Sequence, residues 1–320
     1  MKATRDFLLF RQGTLKDKIK ALENVRKEGL RYKKYGRYTL LAGVIVLIVM
    51  IINASQLGGF IIPLSIVGIL VFFYLSAYWT EKIRKLNFKK RFKLELLEPT
   101  IKFISEDLEY IPHKFIPPSN FRASKLFRFP IASYTGDDYV HGKIGQTIFH
   151  FSELFVEQRN KKSNSGKSVA FGGLFFVADF HKNFNGGTYL IPNKAKYRLN
   201  WLRKNQTNMY EEKRVYLENQ ELTKHFLCFA DDDITARYIL SPSMMESILN
   251  FKKKYPKNDI HISFNYNHVF VAIDHPNDLF EPSFNNSIYS ESSLQAYFEE
   301  IQLVVHLVEK LRLNHRIWTR

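Results

Sequence analysis

Cysteine is nearly absent from this chain: Cys228 is the one thiol in 320 residues. That excludes a disulfide framework and any thiolate-rich zinc or iron–sulfur site. No two of the ten histidines form a His-x-x-x-His or His-Glu-x-x-His pair, so a helical zinc site is missing too. A Gly-x-Ser-x-Gly elbow is also lacking. The string SNSGKS at 163–168 ends like a phosphate-binding loop, but Lys161 stands where its first glycine is needed. A strand pattern, not a helix, follows Ser168, so the motif fails. Acidic residues are scarce, 31 against 47 Lys plus Arg, for a net charge of +16.

What the chain does have is two long stretches without charge. Tyr38–Ile52 reads YTLLAGVIVLIVMII, and Phe60–Trp79 reads FIIPLSIVGILVFFYLSAYW. A bilayer core of ~30 Å takes roughly 20 helical residues. The second run meets that length, and the first meets it when counted from Tyr35, with Arg37 reaching to the interface. Tyr35, Tyr38, Tyr74, Tyr78 and Trp79 stand near the ends, as an aromatic belt does. The first run starts far from Met1 and has a second span directly behind it, which argues against a cleaved signal. The expectation is a retained transmembrane hairpin of two helices.

The charge is distributed accordingly. Residues 1–37 carry a net +8, residues 80–98 a net +4, residues 53–59 none, and residues 99–320 a net +4. Three quarters of the excess therefore flanks the apolar runs, which argues against nucleic acid as partner. It fits attraction to anionic lipid headgroups, and it places both termini in the cytoplasm by the positive-inside rule.

Four segments follow: a basic amphipathic N-terminal segment (1–37), the hairpin (38–79), membrane-proximal helices and a Pro-rich linker (80–118), and a cytosolic domain (119–320). In residues 13–35 Leu15, Ile19, Leu22, Val25 and Leu30 share a face. Glu98-Pro99 predicts a helix break, and Pro112, Pro117 and Pro118 predict an extended linker. Beyond it, glycine-punctuated strands at 134–159 lead to VAFGGLFFVADF, a buried central strand. HFLCFA is a further strand, with Cys228 as a small buried hydrophobe. HISFN and HVFVAID form a hairpin across Asn265-Tyr266-Asn267. Ser241-Pro242 opens a helix with Ser243 and Glu246 at capping-box spacing. A last helix, Ser292–Leu313, has Leu294, Phe298, Ile301, Val305, Val308 and Leu311 on its core face. The fold class expected is α+β, with a mainly antiparallel curved sheet or small barrel and a C-terminal helix.

For chemistry the sequence offers little. Asp179 and His181 share one strand face, and with Glu153 nearby they would make the acid–base or metal-polarising set of a hydrolase at the membrane. Asp137-Asp138 and Asp231-Asp232-Asp233 are acidic turns without an EF-hand pattern. No catalytic, cofactor or metal set is complete. The residues favour a membrane-anchored binding or scaffolding module over the hydrolase.

The strings GDDYVHGKIGQT (136–147), Ser152-Glu153, FGGLFFVADFHKNFNGGT (171–188), ARYILSPSMMESIL (236–249) and LRLNHRIW (311–318) together resemble a known family. It is the bacterial membrane proteins catalogued as domain of unknown function 3137. The resemblance implies a multi-pass protein of the bacterial inner membrane with a cytosolic domain, and it brings no reaction or cofactor. It also implies a LemA-type membrane protein as partner, and it implies no oligomeric state.

Overall fold

The computed structural model describes residues 4–52, 61–160, 166–180, 186–193, 213–275 and 279–289. It also describes residues 294, 295, 297–299, 301, 302, 305 and 308, and only the backbone of 50 and 61–65. The chain divides into two units, Met1–Pro99 with Glu281–Ala296, and Thr100–Phe280 with Tyr297–Arg320.

The first unit is helical. Helix α1 (Thr4–Gln12) precedes α2 (Lys16–Ile52), α3 (Ile61–Lys85) and the short α4 (Phe88–Phe92). The amphipathic segment and the first apolar run are one 37-residue helix, α2. Leu15, Ile19 and Leu22 of the expected apolar face are buried. Asn87, in the left-handed conformation (φ 48°), ends the second apolar helix. The expected break at Glu98-Pro99 does not occur. A π-helical turn, Lys93–Leu97, leads straight into α5 (Glu98–Ile104). Pro99 lacks an N–H and its ring presses on the carbonyl four residues back, and the wider turn makes room for it.

Segment 281–296 also belongs to this unit. The Glu23 carboxylate, 1% exposed, accepts from Arg26 Nε at 2.9 Å and Nη2 at 2.7 Å. It also accepts from the Ile288 amide at 3.0 Å and Ser287 Oγ at 3.1 Å. Arg26 Nη1 donates to the Phe284 carbonyl at 2.6 Å. Burial pushes the Glu23 carboxyl up; the bonds from Arg26 and Ile288 outweigh this and hold it below the ordinary carboxylate range.

The second unit is built on a nine-stranded antiparallel sheet. Its strands are β1 (Leu108–Ile111), β2 (Ile131–Ile144), β3 (Thr147–Arg159), β4 (Lys167–Asp179), β5 (Thr188–Pro192), β6 (Lys213–Val215), β7 (Phe226–Ala230), β8 (Ile260–Asn265) and β9 (His268–Asp274). Their order is β1-β2-β3-β4-β9-β8-β5-β7-β6. The α+β expectation holds. The order ends on two different strands, so among the described residues the sheet is open and the barrel alternative falls.

Two hairpins have a local cause in the described turns. Gly145 (φ 59°) turns β2 into β3, and Tyr266 (φ 57°) lies in the two-residue turn that pairs Asn265 with His268. Lys167 and Ser168 of the SNSGKS string open β4, with Arg159 pairing with Lys167 in an antiparallel ladder. A strand and not a helix therefore follows Gly166, while 163–165 lie outside the described residues.

The helices α6 (Pro118–Ala123), α7 (Gln220–His225), α8 (Asp233–Ile239) and α9 (Pro242–Lys254) complete this unit. The cap of α9 is Ser241, whose Oγ accepts from the Met244 amide at 3.4 Å, rather than Ser243. The aspartate run is structural: Asp231 Oδ2 accepts from the Gly187 amide at 2.6 Å, and Asp232 caps α8 through Thr235 N at 2.8 Å.

The Pro-rich segment 112–117 is docked, not free. Ile116 is buried, its amide donating to Ser152 Oγ at 3.0 Å and its carbonyl accepting from Tyr134 Oη at 2.8 Å. Phe121 of α6 then plugs one sheet face, stacked on Phe127 at 5.0 Å and touching Phe171 and Phe175. The described residues between 294 and 308 are helical. Leu294, Phe298, Ile301, Val305 and Val308 of the expected core face are buried, while Leu311 lies outside the described residues.

Candidate functional site

The strongest functional signal in the first unit is an apolar surface. Gly36 of α2 faces Trp79 of α3, and Gly43 faces Phe72, so the two helices run antiparallel and in contact. A Cβ at Gly43 would come within 2.8 Å of the Phe72 ring. Gly29, one heptad earlier, lies against Phe284 in the same way. Glycines 29, 36 and 43 therefore form a seam on one face of α2, Gly29 and Gly43 against phenylalanine rings and Gly36 against Trp79 Cβ. The heptad spacing stands in the sequence, but a search for small residues four apart overlooks it.

Away from the seam the large side chains are exposed: Leu40, Ile45, Leu47 and Ile52 on α2, and Val67, Leu70 and Phe73 on α3, are each half exposed or more. A patch of this size marks a membrane or protein interface. Among the described residues one helical stretch, Ile66–Ile104, is long and apolar enough to cross a membrane by length and composition.

In the second unit two of the three hydrolase candidates, Asp179 and Glu153, lie apart. Asp179 ends β4 opposite His268, whereas Glu153 on β3 pairs with Leu174, five residues from Asp179 along β4. At ~3.3 Å per residue that is roughly 17 Å. His181 lies outside the described residues.

Glu153 instead meets Asp137 and Asp138. A register shift between Asp137 and Val140 makes a β-bulge, with Asp138 in the left-handed conformation (φ 55°). Carboxylate oxygens of Asp137, Asp138 and Glu153 all lie within 4.8 Å of one another. These are hard oxygen donors of the kind that Ca²⁺ or Mg²⁺ takes. Both buried members already serve the fold: Tyr110 Oη donates to Asp138 Oδ1, and the Leu279 amide donates to Glu153 Oε1 at 2.6 Å. The geometry accounts for the triad as a lock on the bulge. Sequence reading missed it because Asp-Asp between glycines reads equally well as a surface turn.

Three histidines gather beside β3. His150 pairs with His141 on β2, and its Nε2 stands 3.2 Å from Asn120 Nδ2. Tyr139 stacks near both rings, at 5.4 Å from His141 and 5.9 Å from His150, with Lys114 Nζ 4.7 Å from the Tyr139 centroid. Burial pushes the His150 imidazole down to about 4, helped by the charges of His268, His141 and Lys114. An unfolded histidine titrates near 6.5, so His150 favours the fold above that pH. The contribution is lost as the pH falls from 6.5 towards 4. Thermal unfolding of the detergent-solubilised chain should show about 2–3 kcal/mol lost from this group between pH 7 and 4.5. His150→Gln should remove that part of the slope; an unchanged slope would show that another group carries it.

Residues 169–313 match the model of a family described as protein of unknown function (DUF3137). That segment resembles the DUF3137 family. The strings FGGLFFVADF and ARYILSPSMMESIL fall within it, as the sequence resemblance requires, while GDDYVHGKIGQT precedes it. No curated protein matches the chain. The crystal structure of the mycobacterial trehalose monomycolate transport factor A, TtfA, is similar at a TM-score of 0.31 and 11% identity. That alignment covers 67% of this chain and 92% of that chain, a likeness too weak to bear on fold or function. The matched segment supplies β4 to β9, hence the part of the sheet from β4 to its β6 edge.

Proposed function

We propose that this protein is a membrane-anchored binding or scaffolding module of the bacterial inner membrane. Helices α2 and α3 cross the bilayer as a hairpin, with both termini in the cytoplasm. The basic flanks meet anionic headgroups, and the DUF3137-bearing unit engages a protein partner, for which a LemA-type membrane protein is the candidate. The observation that carries this reading is the antiparallel α2–α3 pair, whose large apolar side chains stay exposed over a length suited to lipid.

Cys228 makes the topology directly testable. It is buried, and burial pushes its thiol up to about 12, so it is silent towards a maleimide. In intact cells, Gln56→Cys should react with a membrane-impermeant maleimide, whereas Lys2→Cys should react only after lysis. The reverse pattern, or release of the protein by alkaline carbonate, would overturn the anchored hairpin. A stoichiometric membrane-protein partner should accompany the full chain from mild detergent.

A further inference from the structure

A cleft of about 730 Å³ in the second unit is lined by Arg122, Lys125, Arg128, Lys213, Asp231 and an apolar wall of Phe127, Phe129 and Pro130. Four cations face one carboxylate, for a net of +3, and that carboxylate is engaged by the Gly187 amide at 2.6 Å. The volume is that of a small-molecule site, not of the extended stripe that tracks nucleic acid.

The cations stand on a fixed rim. The Ser124 carbonyl accepts from Ser263 Oγ at 2.7 Å and the Ala123 carbonyl accepts from Asn265 Nδ2 at 2.9 Å, tying the end of α6 to β8. The Lys125 amide donates to the Arg122 carbonyl at 3.0 Å, with Lys125 in the left-handed conformation (φ 53°). Arg128 Nε donates to the Lys125 carbonyl at 3.1 Å, and its guanidinium lies 5.1 Å from the Tyr189 ring centroid. Phe127 anchors the wall between Phe121, Phe171 and His261, with centroids at 5.0, 5.1 and 5.1 Å. Like charges held together on a rigid rim raise one another's electrostatic cost, and a multiply charged anion relieves it. Arginine forks and lysines are the donors that suit phosphoryl oxygens.

We propose that this cleft binds a phosphate-bearing ligand, its phosphoryl group among Arg122, Lys125 and Lys213 and its remainder against Phe129 and Pro130. This deepens the binding-module reading, and it rests on that reading only for the idea that the unit binds a ligand. Both a phospholipid headgroup and a soluble phosphate ester carry the chemistry. The test is calorimetric titration of the full chain in non-ionic detergent. The probes are pyrophosphate, glycerol 3-phosphate, and dihexanoylphosphatidylglycerol below its micelle concentration.

Saturable binding of at least one probe is expected, weakened tenfold or more in the Arg122→Gln/Lys125→Gln double variant. Both positions are exposed, and unchanged thermal unfolding would show that the variant is folded. Tighter binding of the short-chain lipid than of glycerol 3-phosphate would assign the ligand to the membrane; the opposite order would assign it to the soluble pool. No saturable binding, or binding kept within twofold in the double variant, would overturn the proposal. Neither result alters the maleimide pattern, so this cleft and the membrane hairpin stand or fall separately.

Discussion

Gly173→Ala should destabilise the protein by more than about 4 kcal/mol, while Gly172→Ala next to it should cost no more than about 1 kcal/mol. The two glycines are adjacent in the Phe-Gly-Gly-Leu-Phe-Phe string, yet the sheet asks different things of them. Gly173 lies between Leu154 on β3 and Asp274 on β9 with φ 144°, a conformation closed to L side chains. A Cβ there would also press into the Ile273 carbonyl oxygen and stand 2.6 Å from the His275 amide nitrogen. Those atoms are backbone of the neighbouring strand, so relief requires moving β9 itself. At Gly172 the nearest atom would be Phe155 Cδ2 at 3.6 Å, an ordinary contact. Denaturant or thermal unfolding of both variants in detergent measures the contrast. Equal losses would show that the pair is kept for some reason other than backbone geometry.

Arg26→Met should cost about 3–5 kcal/mol, because it leaves the Glu23 carboxylate buried without its cation. The sign with pH is specific. Glu23 is held below its ordinary value in the native fold, so its contribution is present at neutral pH and lost as the pH falls through the carboxylate range. In Arg26→Met the buried carboxyl is pushed up instead, so the deficit against the parent should shrink in mild acid, where Glu23 protonates. The double change Glu23→Leu with Arg26→Met should recover part of the loss, since an apolar pair needs no ionic partner. A single-variant loss below about 1 kcal/mol would place this pair among ordinary surface bridges.

Features written in nearest neighbours were legible in the sequence. The two apolar runs and the central strand from Val169 follow from unbroken apolar length. The β8–β9 hairpin across Tyr266-Asn267 and the buried stripe from Leu294 to Val308 follow from turn residues and from a 3.6 period respectively. Features written in distant pairings were not. The Asp137–Asp138–Glu153 lock depends on a bulge that brings β2 against β3, and no local pattern announces it. Pro99 reads as a stop because proline interrupts a regular helix, and only the preceding π turn lets the helix continue. Asp179 and Glu153 looked compatible because the register of β3 on β4, which separates them, is a pairing between strands that no local pattern states. The basic cleft draws Arg122, Lys213 and Asp231 from three separate stretches of chain, so no window of sequence contains it.

The return of segment 281–296 to the N-terminal unit has a consequence for how the protein is made. Glu23 and Arg26 leave the ribosome early, whereas Phe284, Ser287 and Ile288, which complete their network, follow some 260 residues later. At roughly 5–20 residues per second, the stretch between Pro99 and Glu281 alone takes about 10–40 s to synthesise. For that interval a buried ion pair and the glycine seam beside Phe284 stand incomplete. The unit whose translation begins first therefore waits for residues near the far end of the chain before its network closes.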